Sequence, residues 1–349
     1  MADHEVFIRR CLELAENGLG KVCPNPMVGC VIVHDGQIIG EGFHRQFGEA
    51  HAEVNAVNSV LDHELLKSST IYVSLEPCSH FGKTPPCVDL IVKHKIPRAV
   101  IANKDPFPAV SGRGISRLRE AGVEVVTGVL EDEGKHLNRR FFTFHEKKRP
   151  YIILKWAQTA DGFMDIDRSI VRDPSYWISS KLSKTLVHLW RVQEDSILVG
   201  TNTAKNDNPS LTVRSVAGEN PVRILLDRNL TIDKSTAIFS KNAKTIVLNE
   251  QLDSVEDHIR YVMLDFEQSI FPQLFDFLYK EKIQTLIVEG GKNILEQLIA
   301  QDFWDEARIF HASHSFGKGL KAPEIAGREI GNERIETDQL ITLKNSSQE

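Results

Sequence analysis

The chain has 349 residues, enough for about two domains at roughly 150 residues each. Hydrophobic residues make up 41% and charged residues 26%, and the net charge is −6 with neither half net positive, which argues against a basic nucleic-acid module. No apolar run approaches the roughly 20 residues of a membrane span. The charge-interrupted N-terminal stretch does not read as a signal peptide. Five cysteines in a chain this long make no disulfide framework, so the expected compartment is the reducing cytoplasm and any thiol that matters binds metal or reacts.

In chain order, apolar residues at helical spacing predict a helix over 6–16, ending at Gly18. A β-rich run at 28–33, the turn Asp35-Gly36 and a second run at 37–42 predict a hairpin. A helix follows over 52–66, then a buried strand at 70–75, a helix over 87–94 stopped by Pro97, a strand at 99–102, a helix over 114–121 and a strand at 123–127. This alternation predicts a layered α/β domain. The polar run from His145 to Pro150 reads as a boundary, giving domains 1–147 and 148–349. The second half again alternates, with strands at 151–155, 196–199, 222–226, 245–248 and 285–288 and helices over 181–190, 270–280 and 293–300. There is no repeat of fixed period, and the polar tail 345–349 is expected to fray.

Three short pieces carry chemistry in the first half: His51-Ala52-Glu53, Pro77-Cys78 and Pro86-Cys87. Their order and types fit the zinc-deaminase pattern of His-x-Glu followed by Pro-Cys-x-x-Cys, except that eight residues separate the cysteines. One imidazole and two thiolates give three zinc ligands and leave a fourth position open for water, whose pKa the metal lowers to roughly 7. Glu53 is then the catalytic proton shuttle, from that water to the departing amine. Cys87 is expected to open a helix, whose N-terminus favours a thiolate. Side chains two apart on a helix diverge by roughly 200°, so His51 and Glu53 converge on one metal only at a helix start. Taken alone, Cys78 and Cys87 read equally well as small buried hydrophobes; Cys11 and Cys30 read as core.

With Pro24-Asn25-Pro26-Met27-Val28-Gly29-Cys30, Gly42-Phe43-His44 and the run from Glu76 through Cys87, the sequence resembles the bifunctional deaminase/reductases of riboflavin biosynthesis. The resemblance implies a cytidine-deaminase-like three-layer fold for 1–147 and hydrolysis of the 2-amino group of a diamino-pyrimidinone ribosylamino 5′-phosphate. It implies substrate contacts at Asn25, His44, His80 and Lys83. Lys83 reads two ways, as a phosphate partner or as a solvated surface lysine.

The second half lacks the G-x-G-x-x-G and G-x-x-x-x-G-K-[ST] fingerprints. It offers a strand at 285–288, then Glu289-Gly290-Gly291, then a helix from about Asn293, an anion cradle of backbone N–H groups that is also a common turn. The stretches around Lys155 to Gly162, Trp177 to Ser180, Arg191 to Thr203 and Asp207 to Arg214 resemble the reductase half of the same family, a dihydrofolate-reductase-like α/β fold using NADPH. That resemblance implies cofactor contacts at Ala157, Trp177, Thr203, Asp207 and the run Gly291, Lys292, Asn293, Ile294, Leu295, Glu296 and Gln297. It implies substrate contacts at Ser175, Arg191, Leu211, Arg214 and Glu289. Arg191 and Arg214 suit a sugar phosphate through their bidentate forks, or are surface ion pairs. Arg228 is a candidate for the 2′-phosphate of NADP, Trp177 either packs on nicotinamide or fills core, and Asp207 is offered for ring opening or proton delivery. The chain departs from the family between Gly162 and Trp177, where a charge-rich, glycine-poor segment replaces a Gly/Ser-rich turn.

The expected function is therefore zinc-dependent deamination followed by NADPH-dependent reduction of the ribosyl group to ribityl. The expected partners are a phosphorylated pyrimidine and, through the reductase half, a second copy of the chain; no nucleic acid and no membrane are expected. The alternatives are a nucleic-acid or nucleoside base deaminase with an accessory nucleotide-binding domain, and a zinc-stabilised binding module without catalysis; the uncoordinated Glu53 separates the last from an enzyme.

Overall fold

The structure is a computed structural model that describes residues 2–79, 85–108, 110–168 and 177–348. Three of the sequence-derived site residues, His80, Lys83 and Ser175, lie outside the described residues. The chain divides into two compact units, Met1–Lys148 and Arg149–Glu349.

The first unit runs α1 (Ala2–Glu16), β1 (Gly29–His34), β2 (Gln37–Phe43), α2 (Ala52–Ser59), β3 (Thr70–Leu75), α3 (Cys87–Lys93), β4 (Arg98–Asn103), α4 (Arg113–Glu120), β5 (Glu124–Thr127), α5 (Glu131–Leu137) and α6 (Arg139–Lys147). The sheet order is β2-β1-β3-β4-β5, with β2, β1 and β3 antiparallel and β3, β4 and β5 parallel. Strand side chains alternate between faces. Cys30, Ile32, Ile71, Val73, Ala99 and Ile101 face the layer of α2, α3 and α4. Val31, Val33, Tyr72, Val100 and Ala102 face Ile8, Cys11 and Leu12 of α1. This is the three-layer arrangement, and Cys11 and Cys30 are wholly buried in it.

The predicted helix over 52–66 is shorter. It stops at Ser59, Val60 is extended, and a 3-10 turn, His63–Ser68, follows. The Asp62 side chain accepts the Glu64 N–H and so offers the backbone an alternative to continuing the helix. The sequence pattern does not mark α5 and α6, and α6 takes up part of the polar run read as a boundary. Arg149, in the same run, is a buried anchor of the second unit, forking onto Asp305 at 2.5 and 2.8 Å.

The second unit runs β6 (Tyr151–Gln158), β7 (Phe163–Ile166), α7 (Lys181–Gln193), β8 (Ser196–Gly200), α8 (Thr201–Asp207), β9 (Val222–Leu226), β10 (Thr245–Asn249), β11 (Ser254–Glu256), β12 (Ile259–Met263), α9 (Ile270–Lys280), β13 (Thr285–Val288), α10 (Lys292–Ala300), β14 (Glu306–His311), β15 (Gly319–Lys321), β16 (Arg328–Ile335) and β17 (Asp338–Lys344). The main sheet has the order β11-β12-β10-β9-β8-β13-β6-β14-β17-β16. From β12 through β14 it is parallel, and β11, β17 and β16 are antiparallel to their neighbours. Both faces of the parallel strands are covered, which explains their unbroken apolar runs. On one face α9 buries Phe271, Leu274, Phe275 and Leu278, the i, i+3, i+4, i+7 set of a helix. Each such side chain contributes about 1.5–3 kcal/mol. The opposite face carries Val187 and Trp190 of α7. β14, β16 and β17 were not predicted, and the tail is not frayed at its start. Asn345 is buried and donates to Asp302 at 2.7 Å and the Trp304 carbonyl at 2.9 Å.

β13 lies between β6 and β8 and parallel to both. The C-terminal ends of three strands distant in sequence, and the loops that leave them, are thereby adjacent, the usual location of a site in an open α/β sheet.

Candidate active sites

In the first unit β2 lies against α2 so closely that a Cβ on Gly42 would fall 2.3 Å from the Ala56 nitrogen. Asn55 fastens the two by donating to the Phe43 carbonyl at 2.8 Å. This contact brings His44, just after β2, to His51, just before α2, with ring centroids 5.5 Å apart. His51 is the N-cap of α2, with an extended backbone (φ −69°, ψ 164°), and Glu53 lies in the first turn. The change of chain direction required by the His-x-Glu spacing is therefore present.

Cys78 follows β3, and Cys87 is the first residue of α3. The Cys87 N–H donates to the Cys78 sulfur at 3.3 Å, and the Val88 N–H to the Cys78 carbonyl at 3.2 Å. His51 Nδ1 lies 3.6 Å from the Cys78 Sγ and 3.3 Å from the Cys87 Sγ. The three donor atoms are all within 4.8 Å of one another. Hydrogen bonding from the Cys87 thiol pulls the Cys78 thiol down to about 4 against the opposing effect of burial, with His51 adding to the same direction. Sharing with Cys78, then burial, push Cys87 up. Cys87 opens α3 as expected, and the N–H at that helix start points at the Cys78 sulfur, which supports a thiolate there. Hydrogen bonding to Cys78 raises the His51 pKa.

Glu53 is buried, burial raises its pKa, and it interacts electrostatically with Cys78, His51 and Cys87. Its Oε2 is buried with no hydrogen-bond partner among the described residues. A lone buried carboxylate oxygen costs of order 1–3 kcal/mol and calls for a partner. One nitrogen and two sulfur donors within reach of one centre, beside that oxygen, fit a zinc ion with an open position.

The pocket around this cluster is shaped by two further groups. His44 donates from Nδ1 to the Ala50 carbonyl at 3.1 Å, which leaves its Nε2 to accept from Asn25 Nδ2 at 3.1 Å. Burial lowers the His44 pKa, which favours this neutral form. Glu76, directly before the Pro77-Cys78 pair, is buried. It accepts the N–H groups of Asp105, Gly112, Gly114 and Ile115 at 2.8–3.2 Å. It ties the loop before α4 to the residue that precedes Pro77-Cys78. Asp105 on that loop is pushed up to about 7, mainly by burial. A carboxylate buried directly after an apolar strand was the available signal.

In the second unit Gly290 and Gly291 join β13 to α10. A Cβ on Gly290 would lie 2.7 Å from Val199 Cα, and Gly291 has φ 74°. Both glycines are required, the first by close approach and the second by conformation. Thr203 on α8 faces this turn, its Oγ1 3.6 Å from where a Gly291 Cβ would stand. The first N–H groups of α10 have no intrahelical acceptor, so the turn fits a cofactor phosphate. Within the 291–297 run, Ile294 and Leu295 bury their side chains in the core, so only their main chain is at the turn. Lys292 pairs with Glu296 at 3.4 Å, and Gln297 donates to Asn293. Ala157 packs at the end of β6.

Trp177 is 62% exposed, with Lys184 Nζ 3.7 Å from its ring centroid, which rules out the core-filling role. Asp207 is bound by Arg168 at 2.6 Å; burial raises its pKa and Arg168 opposes the rise. Arg228 is exposed and held by Glu250 at 2.7 Å and Glu267 at 3.4 Å, so a cofactor phosphate would compete with two carboxylates.

Arg191 and Glu289 are not a surface pair. Both are largely buried, Arg191 donating to Glu289 at 2.9 Å and to the Thr212 carbonyl at 3.3 Å. Lys155 of β6 stands 4.0 Å from Glu289. Burial opposes ionisation of Glu289, but Arg191 and Lys155 bring its pKa to about 2. Burial lowers the pKa of Lys155. His188, one turn before Arg191 on α7, accepts the Arg214 N–H at 3.3 Å. Arg214 donates in turn to Ser210 Oγ. Arg191, Leu211, Arg214 and Glu289 therefore belong to one neighbourhood, with Lys155 and His188 as members that sequence reasoning passed over. A lysine inside a buried apolar strand and a histidine on the buried face of a helix were the signals.

A deaminase-type metal centre on one unit and a dinucleotide-type strand-end site on the other define a two-activity enzyme. The comparisons agree. The RibD C-terminal domain matches residues 150–345, and the cytidine and deoxycytidylate deaminase zinc-binding region matches residues 1–103. The riboflavin biosynthesis protein RibD of Aquifex aeolicus is 39% identical over 93% of this chain and 91% of its own; that of Escherichia coli is 34% identical over 91% and 89%. A diaminohydroxyphosphoribosylaminopyrimidine deaminase/5-amino-6-(5-phosphoribosylamino)uracil reductase from Thermotoga maritima has a TM-score of 0.89 at 38% identity, covering 99% of both chains. The chain belongs to the RibD family of bifunctional riboflavin-biosynthesis deaminase/reductases, whose cofactors are zinc and NADPH. Among the described residues, no helix is long and apolar enough to cross a membrane.

Proposed function

We propose that residues 1–147 hydrolyse the 2-amino group of a diamino-pyrimidinone ribosylamino 5′-phosphate and that residues 148–349 reduce the ribosyl group of the resulting uracil to ribityl. The observation that carries this reading is the partnerless Glu53 oxygen beside the His51, Cys78 and Cys87 donors. When bound, zinc supplies a Lewis acid that makes water a nucleophile near neutral pH, and NADPH supplies the hydride.

His51, Cys78 and Cys87 hold the metal, and Asn25 and His44 line the base. Glu53 takes one proton from water and delivers it to the departing amine, so the water oxygen bonds to C2, the bond from C2 to the amino nitrogen breaks, ammonia leaves, and the remaining water hydrogen moves to a ring nitrogen as C2 becomes a carbonyl. His80 and Lys83 are proposed substrate contacts on the family resemblance alone. In the second unit Ala157, Trp177, Thr203 and the turn and helix start 291–297 cradle the dinucleotide. Arg191 and Arg214, beside Glu289 and Leu211, receive the sugar phosphate and ribose, with Ser175 added by resemblance. The reduction breaks the bond between C1′ and the ring oxygen, moves a hydride from NADPH to C1′ and a proton to the freed oxygen, and leaves NADP⁺. Asp207, one turn after Thr203 on α8, is the proposed proton group, and binding must loosen its pairing with Arg168. Arg228 would meet the 2′-phosphate only by giving up Glu250 and Glu267, so its share of cofactor binding is small.

The acidic net charge supports a small-molecule substrate over nucleic acid, and the cysteine usage supports a cytoplasmic setting. Pairing of copies through the second unit is supported by β16, an exposed edge strand. Metal analysis with incubation of the diamino substrate, with and without NADPH, tests the whole reading. Ammonia release without NADPH, and NADPH oxidation only after that release, is expected; oxidation that precedes ammonia release would overturn the proposed order.

A further inference from the structure

We propose that Arg223 is a positioning residue of the reductase site, holding from beneath the 208–214 loop that presents Leu211 and Arg214. The inference rests on the reading of Arg214 as a phosphate partner.

Arg223 lies on β9 and is fully buried, yet it forms no ion pair among the described residues. Its two Nη atoms donate to oxygens of two segments. One is the loop, through the Ser210 carbonyl at 3.4 Å. The other is the shelf 237–243, through the Ala237 carbonyl at 3.2 Å, the Ser240 hydroxyl at 3.0 Å, the Ser240 carbonyl at 2.5 Å and the Ala243 carbonyl at 2.6 Å. Only a planar fork with several fixed donors reaches so many inward-pointing oxygens from one side chain; an ammonium on a flexible stem does not.

The loop it grips is under backbone constraint. Leu211 has φ 54°, a conformation that non-glycine residues adopt at a cost and keep only where the surroundings enforce it. Its side chain is buried with Ile238 and Phe239 of the shelf. Asn208 adds a second tie, its Oδ1 accepting the Ala237 N–H at 2.8 Å. Ser210 links this support to the site: its carbonyl takes Arg223, while its hydroxyl takes the guanidinium of Arg214 and contacts Thr212 Oγ1 at 3.1 Å. The relay from Arg223 through Ser210 to Arg214 sets where a phosphate would be met.

The test uses the full chain with substrate and with the same substrate lacking its phosphate, comparing Arg223→Met with Arg214→Ala. Arg223→Met is expected to raise KM for the phosphorylated substrate by about tenfold or more, with kcat and the KM for NADPH held within about threefold. The preference in kcat/KM for phosphorylated over dephosphorylated substrate should fall toward that of Arg214→Ala, while deamination by the same chain is unchanged. Equal losses on both substrates would mark a merely structural residue and overturn the proposal, as would an unchanged KM. If Arg214→Ala keeps the preference intact, the phosphate reading fails instead. Should Arg223→Met not fold, Asn208→Gly, which tolerates the left-handed backbone and removes the second tie, is expected to lower the preference by about threefold. No change there would overturn the proposal.

Discussion

The metal cluster of the first unit is drawn from one helix start, one strand end and a second helix start, with His51 and Cys87 only 36 positions apart. The charged cluster of the second unit joins Arg191 to Glu289 across 98 positions and adds Lys155 from a third element. The first is held by ligand chemistry, since an imidazole and two sulfurs at a shared point are useful for little else. The second is held by burial, since Glu289 stays ionised in a dry setting only while Arg191 and Lys155 face it. Local spacing therefore announces the first site, and only packing assembles the second.

The largest effect that can break this contrast is expected at Glu53. Glu53→Gln should cut deamination by roughly 10²–10⁴-fold. Zinc content measured by atomic absorption should be unchanged, and reduction by the same chain should continue. Loss of zinc together with thermal stability would place Glu53 among the structural groups.

The corresponding change in the second unit is Glu289→Gln, which leaves two cations without their anion. It should destabilise that unit by roughly 3–5 kcal/mol and abolish reduction while deamination persists. The pH dependence has a definite sign. A folded pKa of about 2 lies below the ordinary carboxylate value near 4.3, so the stabilisation is complete above that value. It is lost as pH falls toward 2. Thermal midpoints of wild type and variant should therefore converge between about pH 4 and pH 2; a gap that widens on acidification would contradict the assignment.

A smaller effect is expected from Gly290→Ala, whose new methyl meets Val199 Cα at 2.7 Å. It should cost about 1–3 kcal/mol and raise KM for NADPH more than KM for the pyrimidine. The smallest belongs to Arg228→Ala. With two carboxylates already on the guanidinium at an exposed position, KM for NADPH should move by less than about threefold. A tenfold rise would show that the cofactor phosphate wins Arg228 from Glu250 and Glu267.

Much of the strand and helix pattern was legible, because covered parallel strands such as 222–226 and 285–288 are unbroken apolar runs and α9 keeps a clear helical stripe. The misses have local causes. The helix over 52–66 was cut short by Asp62, whose side chain competes for a backbone N–H. β16 is exposed at six of its eight residues and has little apolar content, so nothing in its sequence marked it as a strand. Lys155 was visible in its strand but had no partner in sequence; Glu289 is 134 positions away.

By itself the sequence determined the His51, Cys78 and Cys87 trio that the structure gathers, the deaminase half, the diglycine turn and the two-part organisation. Each depends on residue types whose chemistry or backbone freedom is unusual wherever they stand. The tertiary structure alone decided that the N–H at the start of α3 meets the Cys78 sulfur, that Trp177 is exposed, and that Asp207 and Arg228 are already occupied by opposite charges. It alone placed Arg223 against the 208–214 loop. Those outcomes depend on which groups are brought within a few ångströms and how far water is removed from them, and neither is a property of any short stretch of chain.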